Sequence, residues 1–347
     1  MSSMRVAHAR RVFAAAAIGM SAFGLPVTAQ ADTMVWNHNV FGPPREVTRG
    51  IEAVAEFFKA ESNGQIEIKI AYGSSLGPEK QIPEGVKSGA FEGGQICAGY
   101  YPNKFPLLTV MELPFITPPD TAVNAKIMAE VYQHPAIVKE MTERWNVRVL
   151  APIPLPPYEF MGNRKIETVD DLKGVKMRIS GLNAKALQVF GAVPTMVTAP
   201  ESYTAVERGT IDMLGFPYAY TFGAYKTYEV SKYVTEGIGM GGFMCFQGIS
   251  LDSWNKVPAD LQAKLPQAWA LSDKALLQAY KKADEKWIPI FHEKLTVNRW
   301  SAAEREKLAA GANDIWEEWV KQQEAEGRPG REMLNFVKEL ATKHATN

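Results

Sequence analysis

The chain has 347 residues, with 38 lysines and arginines balanced by 38 aspartates and glutamates, so its formal net charge is zero. No net field exists to recruit a polyanion, which argues against a nucleic-acid or acidic-surface role. The length exceeds one comfortable core and points to two lobes.

Arg5, Arg10 and Arg11 precede an apolar stretch over 12–23, and Ala29-Gln30-Ala31 stands before Asp32. A basic start, an apolar middle and an A-x-A site read as a secretory signal peptide over 1–31, cleaved after Ala31. The apolar run is shorter than the roughly 18 residues that a membrane span needs. No later segment is apolar for long enough, so the mature product is expected to be exported and not embedded in a membrane.

A strand is expected at 34–37, a glycine-proline loop at 41–44 and a helix over 46–61. Ile66, Ile68 and Ile70 alternate with polar residues as the next strand. A helix over 79–88 leads to a strand at 94–99, and strands alternating with helices argue for an α/β lobe with a substantially parallel sheet. The pattern repeats with strands near 148–151, 159–162, 175–179 and 211–215. Pro152, Pro154, Pro156 and Pro157 stiffen the chain and disfavour helix. The first crossing between lobes is expected there, with the return near Gly241-Gly242 ahead of a strand at 243–250. Helices are expected over 259–286, 302–326 and 330–344; the charge pairs of the second read as a solvated face. This divides the mature chain into 32–153 with 243–283, and 154–242 with 284–347, the latter carrying the C-terminal helices.

Cys97 and Cys245 both lie in apolar, strand-like runs. Export permits a disulfide, and two buried thiols fit the sequence equally. No catalytic constellation is present: G-x-S-x-G, H-E-x-x-H and Walker-type runs are missing, and His38, His134, His292 and His344 have no metal-ligand spacing. The run from Gly237 to Gly242 matches G-x-G-x-x-G, but the adjoining GFMCFQGIS reads as a strand, whereas a dinucleotide fingerprint needs a helix there. Asp170, Asp171 and Glu201 read as caps or first-turn acids. No catalytic residue, metal or cofactor is expected.

Val175, Met177 and Ile179 alternate with Lys176 and Arg178, which sets Arg178 at the end of a short strand before a turn through Ser180 and Gly181. A guanidinium fixed there matches a carboxylate with two parallel N–H groups. A solvated or structurally paired arginine is the competing reading.

The runs DLKGVKMR (171–178), GAVPT (191–195) and ESYTAVERGTID (201–212) resemble the core signature of the DctP-type solute-binding proteins of TRAP transporters. The resemblance extends to Leu113-Pro114-Phe115, Ser253-Trp254-Asn255 and Val257-Pro258, across nearly the whole mature chain. It implies a periplasmic binding protein-like α/β fold, with two lobes around a ligand cleft joined by crossing strands and a long helix. It also implies that Arg178 forms a salt bridge to the carboxylate of an organic acid. The implied partner is a TRAP permease with small and large membrane subunits, served by a periplasmic, monomeric receptor that is not an enzyme.

Two departures from the family pattern bear on the ligand. A second arginine that many members carry shortly before the N-R pair, here Asn163-Arg164, is replaced by Tyr158. The ligand-touching asparagine of D-G-Q-E-N-P is replaced by Phe216 in Asp212-Met213-Leu214-Gly215-Phe216-Pro217. Phe41, Tyr100, Tyr101, Tyr218 and Phe243 are further candidate walls; with Tyr158 and Phe216 they could contact a ring. The expected ligand is an aromatic or otherwise apolar monocarboxylate held by Arg178, Phe216, Tyr158, Tyr100, Tyr218 and Phe41. A C4-dicarboxylate or sugar-acid receptor is the alternative ligand reading; a periplasmic sensor or an exported enzyme acting on an organic acid is the alternative class.

Overall fold

A computed structural model describes residues 33–179 and 181–345. The expected signal peptide and cleavage site, and Ser180 of the expected turn after Arg178, lie outside the described residues.

Eleven strands form two sheets among the described residues: β1 (Met34–Asn39), β2 (Ile66–Ala71), β3 (Gly93–Cys97), β4 (Val147–Ile153), β5 (Tyr158–Gly162), β6 (Lys176–Arg178), β7 (Val193–Pro194), β8 (Met213–Pro217), β9 (Tyr233–Met240), β10 (Cys245–Ser250) and β11 (Thr296–Arg299). The first sheet runs β2-β1-β3-β10-β4 and the second β11-β9-β5-β8-β6-β7. Each is substantially parallel, as expected, with one strand reversed among neighbours that run the same way. β10 is antiparallel to both β3 and β4, and β5 is antiparallel to both β8 and β9. The cause is the crossing itself: a strand that returns from the other half enters its sheet from the opposite end.

The chain leaves the first sheet after β4 through the proline run and enters the second at β5. It returns between β9 and β10, and β10 is buried along its whole length between β3 and β4. A third passage is the helix Leu265–Lys294. It packs on the helix Arg49–Glu61 and β4 at one end, and on the helix Tyr220–Ala224 and β11 at the other. Thirty residues at about 1.5 Å each reach roughly 45 Å, enough to span both halves. This helix does not begin at residue 259: a separate short helix, Ala259–Gln262, precedes it, and Pro266, which has no N–H to give, falls in the first turn of the long one.

The stretch 302–326 forms two helices, Ala302–Ala310 and Ala312–Ala325, that meet at Gly311. The last helix, Gly330–Ala345, packs on Thr121–Val131 and the turn Leu108–Glu112, elements of the first-sheet half, although its sequence position put it with the second. Trp319 Nε1 donates to Thr109 Oγ1 at 2.8 Å and Trp316 Nε1 to the Pro114 carbonyl at 3.0 Å, while Ala302–Ala310 and Ala312–Ala325 also pack on the helix Asn183–Val189, so the C-terminal segment straps the two halves. Cys97 and Cys245 sit opposite one another on β3 and β10 and are joined by a disulfide. Among the described residues no helix is long and apolar enough to cross a membrane.

Candidate functional site

β6 is short, and its position is set by Asp212 just before β8. The Asp212 carboxylate accepts from Lys176 N at 2.8 Å while Asp212 N donates to the Lys176 carbonyl at 2.8 Å. This clamp fixes the register Met177↔Met213 and Arg178↔Leu214. Arg178 therefore enters the space between the halves from the end of β6, and it is only 1% exposed.

Its guanidinium is held from three sides. Nε donates to the Val197 carbonyl at 3.0 Å, Nη1 to the Gly215 carbonyl at 3.0 Å, and Nη2 to the Tyr100 hydroxyl at 3.5 Å. The Phe216 ring lies against it with 3.9 Å between guanidinium carbon and ring centroid. No carboxylate among the described residues lies within ion-pairing distance. A guanidinium carries five donors and three are used here, so an anion has both charge and N–H groups to meet. An oriented, buried cation without a counter-charge is costly in isolation, which is the signature of a group waiting for one.

The Tyr100 hydroxyl accepts from Arg178 Nη2 and, at 3.3 Å, from Ala199 N, which leaves its own hydrogen free to donate. Burial pushes its pKa up, so it stays a phenol. The loop that supplies Val197 and Ala199 is pinned by Glu201, whose carboxylate accepts from Thr198 N at 2.8 Å and Thr198 Oγ1 at 2.7 Å. Glu201 is thus a local cap, as its position before a helix implies, and so is Asp171, which accepts from Thr168 N and Glu167 N.

Arg178, Phe216, Tyr158, Tyr100 and Phe41 line one narrow cavity of about 40 Å³ between the halves, together with Phe243. Tyr100 meets Phe41 and Phe243 edge to face at 5.9 and 4.9 Å between centroids. Tyr218 is not among the lining residues. Its hydroxyl donates to Glu236 and its ring packs on Phe222 and Phe291, because the backbone alternation that turns Phe216 toward the cavity ends at Pro217 and leaves Tyr218 against the helix behind. Tyr101 is also elsewhere, with its hydroxyl bonded to the Glu79 carbonyl. Sequence reasoning missed Tyr220, Tyr225 and Arg45, and did not place the Cys97–Cys245 bridge in the wall. Arg45 overturns the expectation that the pocket has lost its second guanidinium: the one missing at Tyr158 is matched by another from a different element. It sits in a Gly-Pro-Pro-Arg loop, where no periodicity could single it out.

The G-x-G-x-x-G run is part of β9 and its exit, with no helix after it. Gly237 and Gly239 have φ of 89° and 55°, and the pairing with β5 jumps between Tyr158 and Phe160, so the run is a bulge. Two of its N–H groups are already taken: Ile238 N and Gly239 N donate to the Glu159 carboxylate at 3.0 and 3.2 Å. Among the described residues no cluster of three or more histidines, cysteines or carboxylates could hold a metal.

Among curated relatives, the monocarboxylate 2-oxoacid-binding periplasmic protein of Nostoc is 27% identical over 239 residues, 67% of this chain and 64% of that one. The C4-dicarboxylate-binding periplasmic protein of Rhodobacter capsulatus is 24% identical over 301 residues, 86% of each. A crystal structure of a TRAP solute-binding protein from Rhodoferax ferrireducens, in complex with copurified benzoate, superposes with a TM-score of 0.80 at 23% identity, covering 90% of this chain and 99% of that one. That likeness establishes the fold. The sequence model for bacterial extracellular solute-binding protein, family 7, matches residues 37–323, and the chain therefore belongs to the DctP family, the solute-binding receptors of TRAP transporters.

Proposed function

We propose that this receptor captures an aromatic or otherwise apolar monocarboxylate, with the carboxylate against Arg178 and the apolar body between Phe216, Tyr158, Tyr100 and Phe41. The observation that carries the reading is Arg178: 1% exposed, without a protein counter-ion, and stacked on Phe216 at 3.9 Å. The carboxylate would take the unused guanidinium hydrogens and the Tyr100 hydroxyl hydrogen, while the ring would meet aromatic edges. The benzoate in the Rhodoferax relative agrees with such a ligand. The receptor works in the periplasm as a monomer after loss of residues 1–31, and hands its acid to a permease of one small and one large membrane subunit. The lobes close over the ligand, which removes water from the Arg178 pair and strengthens it.

The test is a thermal-shift screen of the mature protein, freed of carried-over ligand, against aromatic monocarboxylates, aliphatic monocarboxylates, C4-dicarboxylates and sugar acids. A ligand that binds only the folded state raises its stability with the logarithm of concentration over Kd. Stabilisation by aromatic acids is the expected result. Stabilisation by dicarboxylates or sugar acids alone would keep the receptor and overturn the reading of Tyr158 and Phe216.

A further inference from the structure

We propose that the cavity has a second polar end, built on Arg45 and Tyr225, and that the ligand is an acid whose apolar body carries a further oxygen acceptor remote from the carboxylate at Arg178. This rests on the proposed function and narrows it. The acceptor is a hydroxyl or a carbonyl.

Arg45 lines the cavity and is 6% exposed. Its Nη1 donates to the Phe41 carbonyl at 2.7 Å and the Pro43 carbonyl at 3.0 Å, which fixes the guanidinium in place. Its plane is bracketed by the rings of Phe41 and Tyr225, at 5.2 and 5.7 Å from the guanidinium carbon. No bond from Nε or Nη2 and no carboxylate within ion-pairing distance is found among the described residues. Beside it the Tyr225 hydroxyl is buried and also has no partner. The two polar groups approach closely because residue 42 is a glycine with φ of 72°: a Cβ there would lie 2.4 Å from the Tyr225 hydroxyl and 2.9 Å from Arg45 Nη1.

One cavity thus contains two buried guanidiniums with no carboxylate, and an idle phenol hydroxyl next to the second. Unpaired buried donors are destabilising, and a guanidinium already oriented on two rings loses little more freedom on binding. A ligand with a single carboxylate satisfies Arg178 and leaves the other group idle; a ligand with two acceptor ends satisfies both. Phe41, Phe243, Tyr158 and Phe216 give the same cavity an aromatic wall, to which Gln95 and Thr221 add polar groups, and such a lining suits a ring bearing a further acceptor. Arg45 also borders a separate groove lined by Glu46, Arg49 and Trp287.

The experiment is isothermal titration of benzoate and phenylacetate against their hydroxy and acetyl derivatives, with wild type, Arg45→Met and Tyr225→Phe. Wild type should bind the best oxygen-bearing derivative about tenfold or more tighter than its parent, the scale of one hydrogen bond to a charged group. Arg45→Met should erase that advantage, so that parent and derivative bind it alike. Tyr225→Phe, which keeps the ring and the loop bonds of Arg45, should reduce the advantage and guards against a misfolded Arg45 variant. Wild type binding parents and derivatives alike, or a preference that survives both substitutions, overturns the second pole while leaving the proposed function standing. Failure of every aromatic acid to bind wild type overturns the proposed function and this inference with it.

Discussion

Arg178 brings a full charge into a site almost closed to water, and its protein partners are all neutral: two carbonyls and a phenol. Neutral partners orient a guanidinium without cancelling its charge, which suits it to the anion proposed above and, by geometry, to a carboxylate. Arg178→Ala is expected to abolish acid binding, a loss of about 1.5–3 kcal/mol or more for a buried charge-assisted pair. Calorimetry on the folded variant checks this, and wild-type affinity there would show that the anchor lies elsewhere. Phe216 shapes the same cation from its face, a contact worth about 0.5–2 kcal/mol. Phe216→Asn should weaken an aromatic acid more than a short hydroxy acid, because the amide removes a ring and adds donors. Equal losses for the two ligands would undo the link between Phe216 and specificity.

At the scale of elements, the cavity depends on how β3 and β10 are joined. Their disulfide links residues 148 apart in the chain and stands in the cavity wall. Replacing both Cys97 and Cys245 by alanine should lower stability by about 2–4 kcal/mol, read as a shift of the urea midpoint, with the reduced wild type shifting likewise. An unchanged midpoint in both would mean that strand pairing alone holds the two strands together. β6 and β8 were legible because alternation and the Asp212 bracket are local features; so were Arg178 and Phe216, which the same short signature positions. β9 was not legible, since no alternation marks it and the N–H groups of its glycine bulge find their partner only in Glu159 on the neighbouring strand. Arg45 and Tyr225 lay beyond reach for the same reason: their proximity is made by packing between residues far apart in the chain. Tyr218 illustrates the converse, an aromatic two residues from a lining position that packs into its own half.

For the whole molecule, several ionisable groups are buried where the halves and their helices meet, and they set how stability responds to pH. Glu112 is fully buried, accepts from Met244 N at 3.1 Å through Oε1, and leaves Oε2 without a partner against Gly181 of the other half. Burial pushes its pKa up to about 8, and burial also raises Glu140 and Glu159 to about 7. Between the usual carboxylate range and these values the folded chain holds protons that the unfolded chain has released, so stability falls as pH rises through that window. His38, buried against Gln247, is pushed down to about 4. The unfolded chain then binds the extra proton between about 4 and 6.5, and this group adds stability as pH rises over that range. The two effects oppose each other in mild acid and only the glutamates act above it. Thermal stability should therefore decline between about 6.5 and 8. Glu112→Gln keeps the shape and the bond from Met244 N but cannot ionise, so it should flatten that decline and leave the variant more stable than wild type at the alkaline end, by on the order of a few kcal/mol. Parallel melting curves for the two proteins across the window would mean that Glu112 is hydrated enough to ionise freely, and that the seam between the halves is more open in solution than its packing against Gly181 implies.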